Sequence, residues 1–367
     1  NYVNPDTTLM LIDNTFKQQE VYASVASKYA VNRVWDIALS ADMQYNVLHS
    51  NMDGFVFPRR LTTLVAVATA LDLGKVKIQS SLLATWVRER IRSGNTAQED
   101  SAKAAPDKRE FTPAVFLSYK PFKRHDFNIR AFYKQIFRMP TFNDLYYTDI
   151  GNIALRPEFT HQYNLGMQYG KTFKRGWISR IDLQADAYYN EVTDKIVAVP
   201  KGNGQYRWMM MNLGYVEIRG IDASSTTEFR LPWDILLNLR LTYTYQKAQD
   251  FTKRKSDVLQ NLTYGGQIPY IPWHSGSVIA GIHWRSWQLN YSFIYVGERY
   301  HSSANIREDY EQPWYTHDMA LIKNFKVKDT NLRLALEVNN LLAQDYEVVL
   351  NYPMPKRNYK LSFTVEI

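Results

Sequence analysis

Polar and apolar residues alternate along much of this chain with a period of two. Trp35, Ile37, Leu39, Ala41, Met43, Tyr45 and Val47 share one face, and Asp36, Ala38, Ser40, Asp42, Gln44 and Asn46 share the other. Successive side chains of a β-strand point to opposite sides, so the pattern predicts a strand lying between an apolar and an aqueous medium. Ile181, Leu183, Ala185, Ala187 and Tyr189 repeat it against Arg180, Asp182, Gln184, Asp186 and Asn190. So do Leu237, Leu239, Leu241, Tyr243 and Tyr245 against Asn238, Arg240, Thr242, Thr244 and Gln246. Leu332, Leu334, Leu336 and Val338 oppose Arg333, Glu337 and Asn339, and the chain ends on Tyr359, Leu361, Phe363, Val365 and Ile367 sharing a face.

Strand length decides between media. Soluble strands average five or six residues, whereas a tilted membrane strand needs about 9–11, and several of these segments are longer than ten. Charge on one face of strand after strand also argues against a small soluble barrel, whose interior is apolar. Polar inside and apolar outside is the membrane-barrel arrangement. Connections alternate in length as such barrels require. Short ones are predicted near Ala30–Arg33, Leu73–Lys75, Lys120–His125, Lys171–Trp177, Leu231–Asp234, Arg285–Trp287 and Lys326–Asn331. Long ones are predicted near His49–Arg60, Arg88–Glu110, Arg138–Phe159, Thr193–Leu213, Gln249–Trp273, Arg299–Pro313 and Ala343–Asn358. The Arg88–Glu110 stretch is polar and aperiodic and reads as a mobile loop. The fold class is therefore all-β, a transmembrane antiparallel β-barrel with about fifteen strands on this template, the first near Gln19–Ala30.

Composition changes the picture little. No stretch approaches the roughly 20 apolar residues of a membrane helix, and mean hydropathy is −0.40, because alternating strands average to neutral. The 26 Tyr, 17 Phe and 9 Trp fit interfacial aromatic girdles. The absence of cysteine excludes disulfides, thiol catalysis and Cys-based metal sites. The net charge of +8 fits solvated surface, acidic lipid headgroups or an anionic substrate. No basic helix or RNA-binding motif points to nucleic acid. No Gly-x-Ser-x-Gly, paired-His metal motif or phosphate loop points to an enzyme, and no metal site is expected.

The most informative segment is Tyr133–Gly166. It contains Phe137-Arg138-Met139-Pro140, then Phe142-Asn143-Asp144-Leu145-Tyr146, then Gly151-Asn152-Ile153-Ala154-Leu155-Arg156-Pro157-Glu158. These boxes resemble a signature of TonB-dependent outer-membrane receptors, with Met139 for Ala and Ile153 for Pro as departures. Asn212–Asp222, Val338–Tyr346 and Asn351–Tyr359 are similar to further strands of that family in the right order. Pro140 and Pro157 suit loop edges, and Gly151 and Gly220 suit special backbone angles or bulges. The boxes identify the family and not the ligand.

The resemblance implies TonB-dependent active import of a large nutrient complex across the outer membrane of a Gram-negative bacterium. Cobalamin is favoured, with ferric siderophore or haem next. The run Tyr206-Arg207-Trp208-Met209-Met210-Met211 followed by Asn212-Leu213-Gly214 looks most like Bacteroidetes receptors grouped with cobalamin transporters. Aromatics with adaptable Met suit a large, flat, partly apolar ligand. Candidate ligand contacts are those six residues with Tyr146, Tyr147 and His301. Haem ranks lower because Met139–Asn152 contains no His. A passive porin and a barrel enzyme such as a phospholipase are the alternatives.

A family barrel has 22 strands around an N-terminal plug. The expectation is thus that residues 1–367 form one partial barrel domain, separated from its plug and first strands in an outer loop. Expected partners are outer-membrane lipid, that N-terminal plug and barrel segment, TonB acting through it, and a surface lipoprotein.

Overall fold

Alternation of this length folds into strands that cross-pair over many residues. The computed structural model describes residues 2–3, 13–52, 55–93, 104–147, 151–200, 208–252, 263–328 and 330–366. Its long strands are β1 (Phe16–Ala30), β2 (Trp35–Ser50), β3 (Val56–Asp72), β4 (Val76–Ser93), β5 (Lys108–Tyr119) and β6 (Asp126–Arg138). A short helix, α1 (Phe142–Tyr146), precedes β7 (Glu158–Thr172), β8 (Ile178–Pro200), β9 (Trp208–Leu231) and β10 (Ile235–Asp250). Then come β11 (His274–Trp284), β12 (Trp287–Val296), β13 (Trp314–Val327), β14 (Thr330–Asn339) and β15 (Asn358–Glu366).

These strands neighbour one another in chain order in a 16-stranded antiparallel sheet, the remaining member being Gly266–Gln267 on β10. Among the described residues, β1 and β15 each have one sheet partner. No helix among them is long and apolar enough to cross a membrane.

Register fixes the two faces. On β2 and β3, Leu39 pairs with Val67 and Ala41 with Val65, while Asp42 pairs with Leu64 and Asn46 with Arg60. On β10 and β11, Leu239 faces Ala280 and Leu241 faces Val278. The apolar face is the uncovered one: Leu39 is 53% exposed, Leu165 59% and Leu361 71%. Ladders of apolar side chains this exposed lower their free energy in lipid, not in water. The opposite face carries ion pairs, such as Lys28–Asp36 at 2.8 Å and Arg130–Asp186 at 2.7 Å.

The chain forms two compact units. The first comprises Asn1–Leu117, Phe132–His161 and Thr193–Leu213; the second comprises Ser118–Ala131, Gln162–Val192 and Gly214–Ile367. In the first, a buried apolar cluster gathers Leu48, Phe55, Ile91, Phe142, Leu145, Tyr146, Leu155 and Ile196 at the strand ends beside the long connections.

Three expectations need correction. The predicted loop Thr193–Leu213 is mostly strand, because β8 runs on to Pro200 and β9 begins at Trp208. The extension buries Ile196 and Leu213, 6% and 1% exposed, which a solvated loop would leave in water. Gly151 and Gly220 do not take left-handed angles; space demands them. A Cβ on Gly151 would lie 2.7 Å from the Leu145 carbonyl oxygen, and one on Gly220 would collide with the Tyr188 ring. The Arg88–Glu110 stretch, read as a mobile loop, is strand at both ends, since β4 reaches Ser93 and β5 starts at Lys108; residues 94–103 lie outside the described residues.

Candidate functional site

The candidate site lies in the first unit, where the loop between β6 and β7 folds against the polar face of β1–β4. Local sequence explains the loop. Thr141 caps α1: its hydroxyl accepts from the Asp144 amide at 3.2 Å, and the Asp144 carboxylate accepts from the Thr141 amide at 2.8 Å. This reciprocal capping box satisfies two otherwise orphaned donors. The Asp144 carbonyl accepts from the Asn152 amide at 2.8 Å, and the Asn152 side chain donates to the Met210 carbonyl at 3.0 Å. Glu158 closes the segment, accepting from the Ile196 amide at 3.0 Å and lying 3.7 Å from Arg138. The two loop boxes therefore act as one lock tying α1 to β7, β8 and β9.

Beneath the lock lies a buried charge. Register places Arg60 of β3 opposite Glu89 of β4. The guanidinium donates from Nε to Glu89 at 2.7 Å and from Nη1 to the Pro140 carbonyl at 2.7 Å, and its Nη2 lies 2.6 Å from the same Glu89 oxygen. Its Cζ sits 4.9 Å from the centre of the Phe142 ring. The Tyr146 hydroxyl donates to the other Glu89 oxygen. Glu89 is 1% exposed, so the pair is shielded from water and both carboxylate oxygens are occupied. Burial, then the adjoining carboxylate, raises the Tyr146 phenol above its ordinary range.

A cavity of about 500 Å³ opens beside this pair. Gln18, Gln44, Asn46, Thr62, Thr85 and Asn143 supply amides and hydroxyls to its lining, Glu20 a carboxylate, and Phe137, Met139 and Phe142 apolar surface. Such a lining can donate and accept hydrogen bonds to a neutral polar ligand while packing on its apolar parts. Among the described residues no group of His, Cys, Asp and Glu could hold a metal ion.

The candidate ligand contacts are distributed unevenly. Tyr146 is 7% exposed and serves the lock. Tyr147, half-buried, lies 4.8 Å from Phe16 ring to ring. Trp208, Met209, Met210 and Met211 open β9 rather than forming a loop, with Met210 packed against the apolar cluster. Tyr206 and Arg207 lie outside the described residues. His301 belongs to the second unit, 3.3 Å from both Asp309 and Glu311. Sequence reasoning missed Arg60, Glu89 and the amide lining. The signal for the first two was available only as inner-face charge on adjacent strands.

The family model described as "TonB dependent receptor-like, beta-barrel" matches residues 28–341. The chain belongs to the TonB-dependent receptor-like β-barrel family. Its wall is accordingly that of a Gram-negative outer-membrane protein. The vitamin B12 transporter BtuB of Photobacterium profundum is 27% identical over 237 residues, covering 62% of this chain and 33% of that protein. BtuB of Vibrio vulnificus is 33% identical over 92 residues, covering 25% of this chain and 14% of that protein. The chain thus matches a third or less of the length of these relatives. Among solved structures, the copper transporter OprC superposes with a TM-score of 0.70 at 14% identity, covering 97% of this chain and 58% of that one. The ferric citrate transporter FecA gives 0.69 at 12% identity, covering 95% and 54%. These two likenesses establish the barrel-wall fold. The relatives are transporters and receptors, not enzymes.

Proposed function

We propose that this chain is the C-terminal barrel wall of a TonB-dependent importer, and that its cargo is a cobalamin. The observation that carries the reading is the 27% identity over 237 residues to a protein named as a vitamin B12 transporter. The chemistry of the first unit supports it. A corrinoid presents carboxamide side chains around an apolar macrocycle, and Gln18, Gln44, Asn46 and Asn143 can pair amide to amide beside Phe137 and Met139. Met209–Met211 supply adaptable apolar contact. Haem is less well served, since His301 is enclosed by two carboxylates. An N-terminal plug carrying the contact to TonB completes the machine, and a surface lipoprotein assists capture.

The test is equilibrium binding by the full-length receptor in detergent, with cyanocobalamin, haem and a ferric siderophore as probes. Cobalamin binding that weakens with Trp208→Ala and Met210→Ala, in normally folded protein, is the expected result. Retention of a ferric siderophore but not cobalamin, or a haem complex with an axial-His spectrum lost on substituting His301, would overturn the assignment.

A further inference from the structure

Two consecutive short turns of the second unit repeat one motif. Lys120-Pro121-Phe122-Lys123-Arg124 links β5 to β6, and Lys171-Thr172-Phe173-Lys174-Arg175 links β7 to β8. The strands between them, β6 and β7, are sheet neighbours, so both turns lie at the same end of adjacent strands. A Cβ built on Gly170 would fall 3.0 Å from the Asp126 carboxylate, which puts the two turns side by side.

Six cations thus share one rim segment; the carboxylates beside them at the strand ends, Asp126 and Asp182, are paired with Lys120 at 3.8 Å and with Arg180 at 2.6 Å. Lys123, Arg124, Lys174 and Arg175 are exposed and make no ion pair among the described residues. Aromatics accompany them: Phe122 is 55% exposed, Trp177 69%, and Lys171 Nζ sits 4.8 Å from the Phe173 ring. Solvated charge on a soluble surface needs no such company. Interleaved cations and half-exposed rings suit a headgroup layer, where rings sit at the interface and cations meet phosphates.

Directly along the same strands runs an apolar groove of about 530 Å³. It begins at Phe127, two residues past His125, and at Tyr169, two residues before Lys171. Met167, Leu183 and Tyr243 line it and Ala223 leaves the space. All of these residues are on the apolar parity of their strands, the face turned to lipid. A groove in a lipid-facing wall is filled by acyl chain, since nothing else is present there to occupy it.

We infer that this rim and groove form one binding site for an anionic glycerophospholipid of the inner leaflet, its phosphate held by Lys123, Arg124, Lys174 and Arg175 and its acyl chain laid in the groove. Short turns face the periplasm in barrels of this kind, which selects the inner leaflet. The groove extends the site beyond charge attraction: a phosphate alone would meet only screened surface cations, whereas a chain-bearing phosphate gains apolar contact as well.

The test is native mass spectrometry of the full-length receptor, delipidated and then exposed to phosphatidylglycerol, phosphatidylethanolamine or soluble glycerophosphate. Wild type should retain phosphatidylglycerol over phosphatidylethanolamine and take up no glycerophosphate. Lys123→Glu, Arg124→Glu, Lys174→Glu and Arg175→Glu combined should lower phosphatidylglycerol retention at least on the order of tenfold. Ala223→Phe should lower retention of both lipids with the rim intact. Heat-modifiable migration of each variant confirms a folded barrel. Equal retention of the two phospholipids by wild type, or unchanged retention in the fourfold variant, overturns the site. Capture of an acidic polypeptide by the rim without any lipid preference also overturns it.

Discussion

The molecule buries two arginines in two different ways. In the first unit Arg60 meets a carboxylate: Glu89 accepts from its Nε and lies 2.6 Å from its Nη2, the Pro140 carbonyl accepts from Nη1, and the Phe142 ring covers its face. In the second unit Arg299, 3% exposed, meets main chain, donating to the carbonyls of Glu347 at 2.6 Å and Val348 at 3.4 Å. Its Nη1 is buried without a hydrogen bond, as is the Nη2 of Arg60. Burial lowers the Arg299 guanidinium from its ordinary value, with Glu311 acting in the opposite direction. The difference teaches what each arginine is for. Arg60 neutralises a charge that could not be buried alone, and its contacts anchor the α1 lock. Arg299 clips the distant Glu347–Val348 segment to its own through main-chain carbonyls.

The comparison breaks most visibly at Glu89. Glu89→Leu or Arg60→Met alone leaves one uncompensated buried charge, which costs about 3–5 kcal/mol. The double substitution removes both charges and should lose far less. Denaturant unfolding of the full-length receptor in lipid vesicles provides the cycle. A double variant as damaged as the two singles added together would mean that the pair does not act as a unit.

Next in size is Gly151→Ala. The added methyl would press on the Leu145 and Tyr146 main chain within 2.8 Å, and overpacking of this kind costs about 1–3 kcal/mol. Limited proteolysis between 142 and 158 should quicken. Unchanged proteolysis would show that the lock is held by Arg60 alone and not by the close approach of the two boxes. Arg299→Met should follow, at about 1–2 kcal/mol, because it frees two carbonyls but removes a half-satisfied buried charge. A loss as large as that from Glu89→Leu would erase the distinction between the two arginines.

The alternation of Trp35–Val47 or Leu237–Tyr245 made the strands, their faces and most turns legible, since period two reports burial directly. The ends were less legible. Thr193–Leu213 is polar enough to pass for loop, and only the apolar cluster that accepts Ile196 reveals why pairing continues. The boxes around Phe142 identified the family, but their purpose depends on Arg60 and Glu89. Those residues lie some 50 to 100 positions upstream and meet through a register no local pattern prints. Tyr146 and Tyr147 look equivalent as a pair, yet α1 turns one into the core and leaves the other half-exposed. The Thr141–Asp144 cap was readable by its spacing and would have announced the helix.

The smallest effect concerns the third partner of Glu89. Tyr146→Phe removes one hydroxyl while Arg60 still neutralises the carboxylate, so the loss at neutral pH should be about 1 kcal/mol. Its signature is alkaline. The Tyr146 phenol titrates above its ordinary value of 10.0 in the folded protein, chiefly through burial and then through Glu89. Between that value and the raised one the open state gives up its proton first, so the contribution is complete below about pH 10 and declines as pH rises beyond it. These 367 residues contain no cysteine, so within them a spin label on Asn143→Cys reports α1. In otherwise unaltered protein the label should loosen above about pH 10, and in Tyr146→Phe it should be slightly looser throughout with a shallower alkaline rise. Arg299→Met should leave that profile as it is. Identical alkaline slopes with Tyr and Phe at 146 would mean that the hydroxyl does not seal the charged pair, and that Arg60 holds Glu89 without it.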